Sequence, residues 1–142
     1  MNNDAVNAAR ALIGTPYVLG YAQPGVGCDC IGVVEYVWRE VRGTEPPMRG
    51  PVVADYYNDP NDLLFTGAAL HLTQISRAKL GSVLLIKMKN TPGCSHIAIC
   101  TGLQDGQPHT MVHAHDGRMV RRVVETTLGR RWLPALKGIF EI

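Results

Sequence analysis

Cys30 is the residue in this chain whose type and setting most suggest chemistry. It follows the loop Gly25-Val26-Gly27-Cys28-Asp29 and opens a segment in which Val33, Val34, Val37, Trp38 and Val41 recur at helical spacing. Glu35, Arg39, Glu40 and Arg42 gather on the opposite face, and Gly43 stops the run. A thiol at a helix N-terminus meets backbone N–H groups and the positive end of the helix dipole. Both favour the thiolate, and the same N–H groups could hold an oxyanion. A buried structural cysteine at the start of a helix is the competing reading, because free cysteine is among the most buried residue types. Asp29 is placed to cap the helix.

A nucleophilic cysteine needs a base, and the histidines are His71, His96, His109, His113 and His115. In Ser95-His96-Ile97-Ala98-Ile99-Cys100 strand alternation puts His96, Ala98 and Cys100 on one face and the isoleucines on the other. In Met111-Val112-His113-Ala114-His115 the two histidines share a face. If these strands pair as a hairpin, histidines from neighbouring strands lie side by side and supply a base and an orienting partner. A hydrogen-bonded structural histidine is the alternative for each, and His71 and His109, in loop-like contexts, keep that reading. Zinc is a further alternative: Cys28, Cys30, Cys94 and His96 are acceptable ligand types, but C-x-C and C-x-H are tighter than the usual C-x₂₋₄-C spacing. Cys94 and Cys100 otherwise read as a turn residue and core filler.

The elements that position these residues follow from the same patterns. Val6, Ala9 and Ile13 fall at helical spacing over 3–13, and Gly14 with Pro16 ends that run. The segment 44–79, with Pro46, Pro47, Gly50, Pro51, Pro60 and Gly67, reads as loops with one or two short helices. Strands are expected over 82–88, 96–101, 110–115, 119–125 and 137–142, with Asp105-Gly106 and Asp116-Gly117 as turns. Helices followed by an antiparallel meander make an α+β domain, and 142 residues suit a single domain, 1–142. Hydrophobic residues at 46% exclude global disorder. A net charge of +2 makes nucleic acid a poor partner. No stretch is apolar enough for membrane insertion, and Met1-Asn2-Asn3-Asp4 lacks the basic start of a signal peptide, so the chain is expected to be made in the cytoplasm. The cysteine spacing and the missing export signal argue against a disulfide framework.

Five blocks occur in order: Gly14-Thr15-Pro16-Tyr17, Gly27-Cys28-Asp29-Cys30-Ile31-Gly32, Gly81-Ser82-Val83-Leu84-Leu85, Ser95-His96-Ile97-Ala98-Ile99 and Val112-His113-Ala114. Together they resemble the NlpC/P60 family of cysteine peptidases, and within it the phage and gene-transfer-agent cell-wall peptidases. The resemblance implies a papain-like core, with N-terminal helices packed on a C-terminal antiparallel sheet. It makes Cys30 the nucleophile, His96 the general base and His113 the third, orienting residue, with His115 a substitute on the same face. It places Tyr17, and Asp29 beside the nucleophile, among the substrate or oxyanion contacts, and leaves Cys28 without a catalytic task. Ser82 stands where the family usually has Asp, which bears on a turn. The implied reaction is amide hydrolysis in peptidoglycan stem peptides, at the γ-D-glutamyl to diamino acid bond, without metal or organic cofactor. A wall hydrolase lacking an export signal is expected to reach the periplasmic wall on a phage tail or gene-transfer particle, held by tail or tail-hub proteins. A related amidase or acyltransferase, or an inactive structural tail component of the same fold, are the alternatives.

Overall fold

The computed structural model describes residues 3–49 and 58–142; the Gly50 and Pro51 part of the expected proline-rich loop lies outside them. Helix α1, Asn3–Ala11, buries Ala5, Val6, Ala8 and Ala9, with Asp4 in its first turn and Arg10 in its last. It ends two residues before the expected Ile13, and Gly14 follows with a positive φ of 90°. Two short strands, β1 (Ala22–Gln23) and β2 (Gly27–Cys28), form a small hairpin that the residue pattern did not reveal.

Helix α2, Cys30–Arg42, is set at both ends as its sequence demands. The Asp29 carboxylate accepts from Gly32 N at 2.7 Å, and Gly43, at φ 69°, returns its N–H to Arg39 O at 2.9 Å. Its first turn lies so close to the Tyr21 carbonyl that a Cβ on Gly32 would collide with that oxygen. Ile31, Val33, Val34 and Val37 form its buried face. Helix α3, Leu63–His71, supplies one of the expected short helices of the middle segment and takes His71 as its last residue.

The main sheet has six strands: β3 (Thr73–Gln74), β4 (Val83–Ile86), β5 (His96–Gln104), β6 (Gln107–Asp116), β7 (Arg121–Thr127) and β8 (Leu136–Glu141). Their spatial order is β3-β8-β4-β5-β6-β7, with every neighbouring pair antiparallel. Asp105 and Gly106, both at positive φ, make the tight β5–β6 turn, as the Asp-Gly signal requires. His109 therefore lies within β6 and not in a loop. All four residues of β4 are buried, because this central strand is covered on both faces. One face carries Ile97, Ile99, Val112 and Val123 against α1 and α2, and the other carries Leu84, Ala98, Met111 and Trp132. Trp132 closes a one-turn helix, α4 (Gly129–Trp132), that is followed by a 3-10 turn, Leu133–Ala135; neither was expected. Among the described residues no helix is long and apolar enough to cross a membrane. The architecture is the expected α+β one, with helices against an antiparallel sheet.

Candidate active site

Cys30 opens α2 and is 1% exposed, within the core shared by α1, α2 and one sheet face. The neighbouring backbone is held by Asp29, whose carboxylate is fully buried. One of its oxygens accepts from Gly32 N and the other from Gly20 N at 2.8 Å. Arg49 then grips both oxygens, at 2.7 and 2.9 Å, and reaches Glu35 at 2.6 Å with the same guanidinium. Such forked pairing suits arginine, and it gives two carboxylates that would be costly to bury alone a shared counter-charge. The Asp29 side chain is thereby committed to the protein; what it contributes to binding substrate would run through the backbone it holds.

The histidines come together as the strand alternation predicts. His96 Nε2 and His113 Nδ1 lie 2.7 Å apart, both residues buried, with ring centroids 4.9 Å apart. The other nitrogen of His113, Nε2, lies 2.9 Å from Thr126 Oγ1 on β7. Trp132 stacks near both rings, at 5.6 Å from His96 and 5.3 Å from His113. Burial pushes both imidazoles well below their ordinary range. For His96 the charges of His115 and Arg131 add to the effect, and for His113 those of His96, His115 and Arg131. The pair is therefore neutral at neutral pH, the state a proton acceptor requires. His115 pairs less closely, its ring 5.5 Å from that of His113, and its Nδ1 has no hydrogen-bond partner among the described residues.

The structure thus unites His96 with His113 on the sheet face of Ala98, Met111 and Trp132, whereas Cys30 lies in the core on the opposite face, at the head of the helix that packs across β5 and β6. Tyr17, half-buried, bridges to Cys28 and packs against the α2 core, with the Arg121 guanidinium 5.8 Å from its ring centre. Cys28 is fully buried and donates from Sγ to Asp29 O at 3.2 Å; burial and, after it, the Asp29 charge drive its thiol far up, so it stays protonated. Cys100 is core, as expected, and burial raises its thiol also. Among the described residues no three His, Cys, Asp or Glu side chains are grouped to hold a metal ion, so the Cys28, Cys30, Cys94 and His96 set is not assembled. Ser82 meets the turn that a carboxylate would otherwise serve, accepting from Lys79 N at 2.8 Å. Thr126, Trp132 and Arg49 went unnoticed in the sequence; only the period-2 pattern along β7 could have drawn attention to Thr126.

No family model matches the sequence, and no curated protein sequence matches it; the similarity lies in the fold. The NlpC/P60 domain of the peptidoglycan hydrolase SagA superposes with a TM-score of 0.64 at 22% identity, covering 100% of this chain and 99% of that one. A lipoprotein-like NLP/P60 family protein from Staphylococcus aureus gives 0.67 at 20% identity, and NlpC1 from Trichomonas vaginalis gives 0.62 at 17%. This chain spans 42% and 41% of the lengths of those two. Helices on an antiparallel sheet, a cysteine heading the second helix and a histidine pair on adjacent strands are here arranged in the fold of NlpC/P60 domains.

Proposed function

We propose that the protein is a cysteine peptidase that hydrolyses the peptide stems of bacterial peptidoglycan, with Cys30 as nucleophile, His96 as general base and His113 as its orienting partner. The observation that carries this reading is the buried, neutral His96–His113 pair at 2.7 Å, on the strands crossed by the helix that Cys30 heads. Similar structures that include the NlpC/P60 domain of a peptidoglycan hydrolase support the substrate class. The γ-D-glutamyl to diamino acid bond as the point of cleavage, and carriage to the periplasmic wall on a phage tail or gene-transfer particle, rest on the resemblance of the sequence blocks.

In this mechanism the Cys30 sulfur attacks the amide carbonyl carbon while its proton passes to Nδ1 of His96. The carbonyl π electrons move to oxygen, and N–H groups at the opening of α2 hold the resulting oxyanion. Collapse expels the amine, which takes the proton from His96 and leaves a thioester on Cys30. Water then attacks the thioester carbonyl, giving its proton to His96, and the thiol departs with that proton as the new carboxylic acid forms. Tyr17, which bridges to Cys28, is assigned to substrate or oxyanion contacts on the resemblance of the sequence blocks.

Digestion of defined muropeptides followed by mass spectrometry tests this. Wild-type protein is expected to yield two fragments whose masses sum to the substrate plus one water. Folded Cys30→Ala protein is expected to yield none, and Cys28→Ala to keep substantial activity, because the Cys28 thiol stays protonated and donates to Asp29 O. An active Cys30→Ala protein refutes the assignment. Intact muropeptides after incubation with wild-type protein would point to a structural tail component of the same fold.

A further inference from the structure

On the sheet face that carries Trp132, the end of β4 and the segment after α4 enclose a pocket of about 570 Å³. Lys87, Lys89, Arg131 and Lys137 line it, with Met88 and Trp132 as apolar surface, and none of its lining residues is acidic. None of the four cations makes an ion pair among the described residues. The whole chain carries a net charge of only +2, so the four cations of this one cavity exceed it and the rest of the molecule is net negative. Like charges facing one cavity repel, and a concave wall focuses their field on whatever enters. The walls are also fixed: Lys87 N donates to Ala135 O at 3.0 Å, and the Arg131 guanidinium lies 4.8 Å from the Trp132 ring centre. A single oxyanion would leave most of this space empty, whereas small-ligand sites commonly span roughly 300–1,000 Å³.

We propose that this pocket binds a small ligand bearing two or more anionic groups, carboxylates or phosphates, with its non-polar part against Met88 and Trp132. Trp132 is shared with the histidine pair, its ring 5.6 Å from that of His96 and 5.3 Å from that of His113, so the pocket adjoins that pair, but its proposed occupant is held by the cations and needs no thiol chemistry. The cations supply attraction and orientation, and the indole supplies a flat apolar surface.

Isothermal titration of the full chain with sodium glutarate and with sodium pyrophosphate, at an ionic strength held constant with sodium chloride, tests the proposal. Saturable binding of at least one probe is expected, weakened about tenfold or more in Lys87→Gln/Lys137→Gln protein, the equivalent of about 1.4 kcal/mol. Binding of glutarate alone identifies a carboxylate ligand, and binding of pyrophosphate alone a phosphorylated one. Should the Lys87 change impair folding, Lys89→Gln/Lys137→Gln, at two exposed positions, serves in its place. Heats no greater than those of sodium chloride for both probes, or equal affinity in the folded variant, overturn the proposal. Because the readout is binding, failure of the peptidase reading leaves it intact, and the reverse also holds.

Discussion

His113 is held from both sides: Nδ1 meets His96 Nε2 at 2.7 Å, and Nε2 meets Thr126 Oγ1 at 2.9 Å. Only one proton arrangement along this row leaves His96 able to act as a base at Nδ1. His113 must donate from Nε2–H to Thr126, and His96 must donate from Nε2–H to His113 Nδ1. In the proposed mechanism Thr126 is therefore a positioning residue that selects the useful tautomer. Thr126→Val is expected to lower kcat on muropeptides about five- to tenfold, the equivalent of roughly 1 kcal/mol for one neutral hydrogen bond, with KM little changed. Thr126→Ser should restore most of it. Equal loss in the serine and valine proteins would show that Thr126 only fills space.

The same histidines give stability a defined pH dependence. Their folded pKa values lie below the unfolded value of about 6.5, so below that pH the unfolded chain takes up protons that the folded chain refuses. Stability contributed by the pair is complete above about pH 6.5 and is lost as pH falls through the window toward the folded values. The slope reaches at most roughly 1.4 kcal/mol per pH unit for each histidine. Urea unfolding from pH 7 to 5, above the ordinary carboxylate range, should show a decline that His113→Asn makes visibly shallower. An unchanged slope in that variant would mean His113 is not buried in its neutral form.

How far these features can be read from residues alone depends on the distance over which the signal acts. His96 and His113 share a face because side chains alternate along each strand, a rule that needs only a few residues. The Asp29 cap and the Gly43 stop of α2 are equally local. Thr126 reaches His113 only through the β6–β7 register, which is set across the loop 117–120 and carries no short pattern. Trp132 sits in a one-turn helix too short for periodicity, yet it covers both histidine rings. Arg49 lies in a proline-rich stretch and finds Asp29 twenty positions back, a pairing no spacing rule anticipates.

Gly32 offers a direct probe of the backbone around Cys30, the proposed nucleophile. A Cβ there would strike the Tyr21 carbonyl, a backbone atom that cannot swing aside as a side-chain tip can. Tyr21 O also accepts from Asp29 N at 3.1 Å, so moving it disturbs the cap of α2. Gly32→Ala is expected to cost about 1–3 kcal/mol in urea unfolding and to lower activity further than that loss alone explains. Wild-type stability in this variant would show that α2 and the Tyr21 turn are not in close contact.

Arg49 is the sole cation paired with Asp29 and Glu35 among the described residues, and it satisfies both carboxylates at once. Removing it in Arg49→Met leaves Asp29, 0% exposed, and Glu35, 9% exposed, charged without compensation. Breaking such a pair from one side typically costs about 3–5 kcal/mol; with the Arg49 side chain itself 29% exposed, the lower end of that range is expected. Arg49→Lys should recover only part of it, since one ammonium cannot fork across two carboxylates. Urea unfolding of the three proteins at one pH separates charge from packing. A lysine variant no more stable than the methionine one would show that the positive charge contributes nothing and would assign the whole loss to packing.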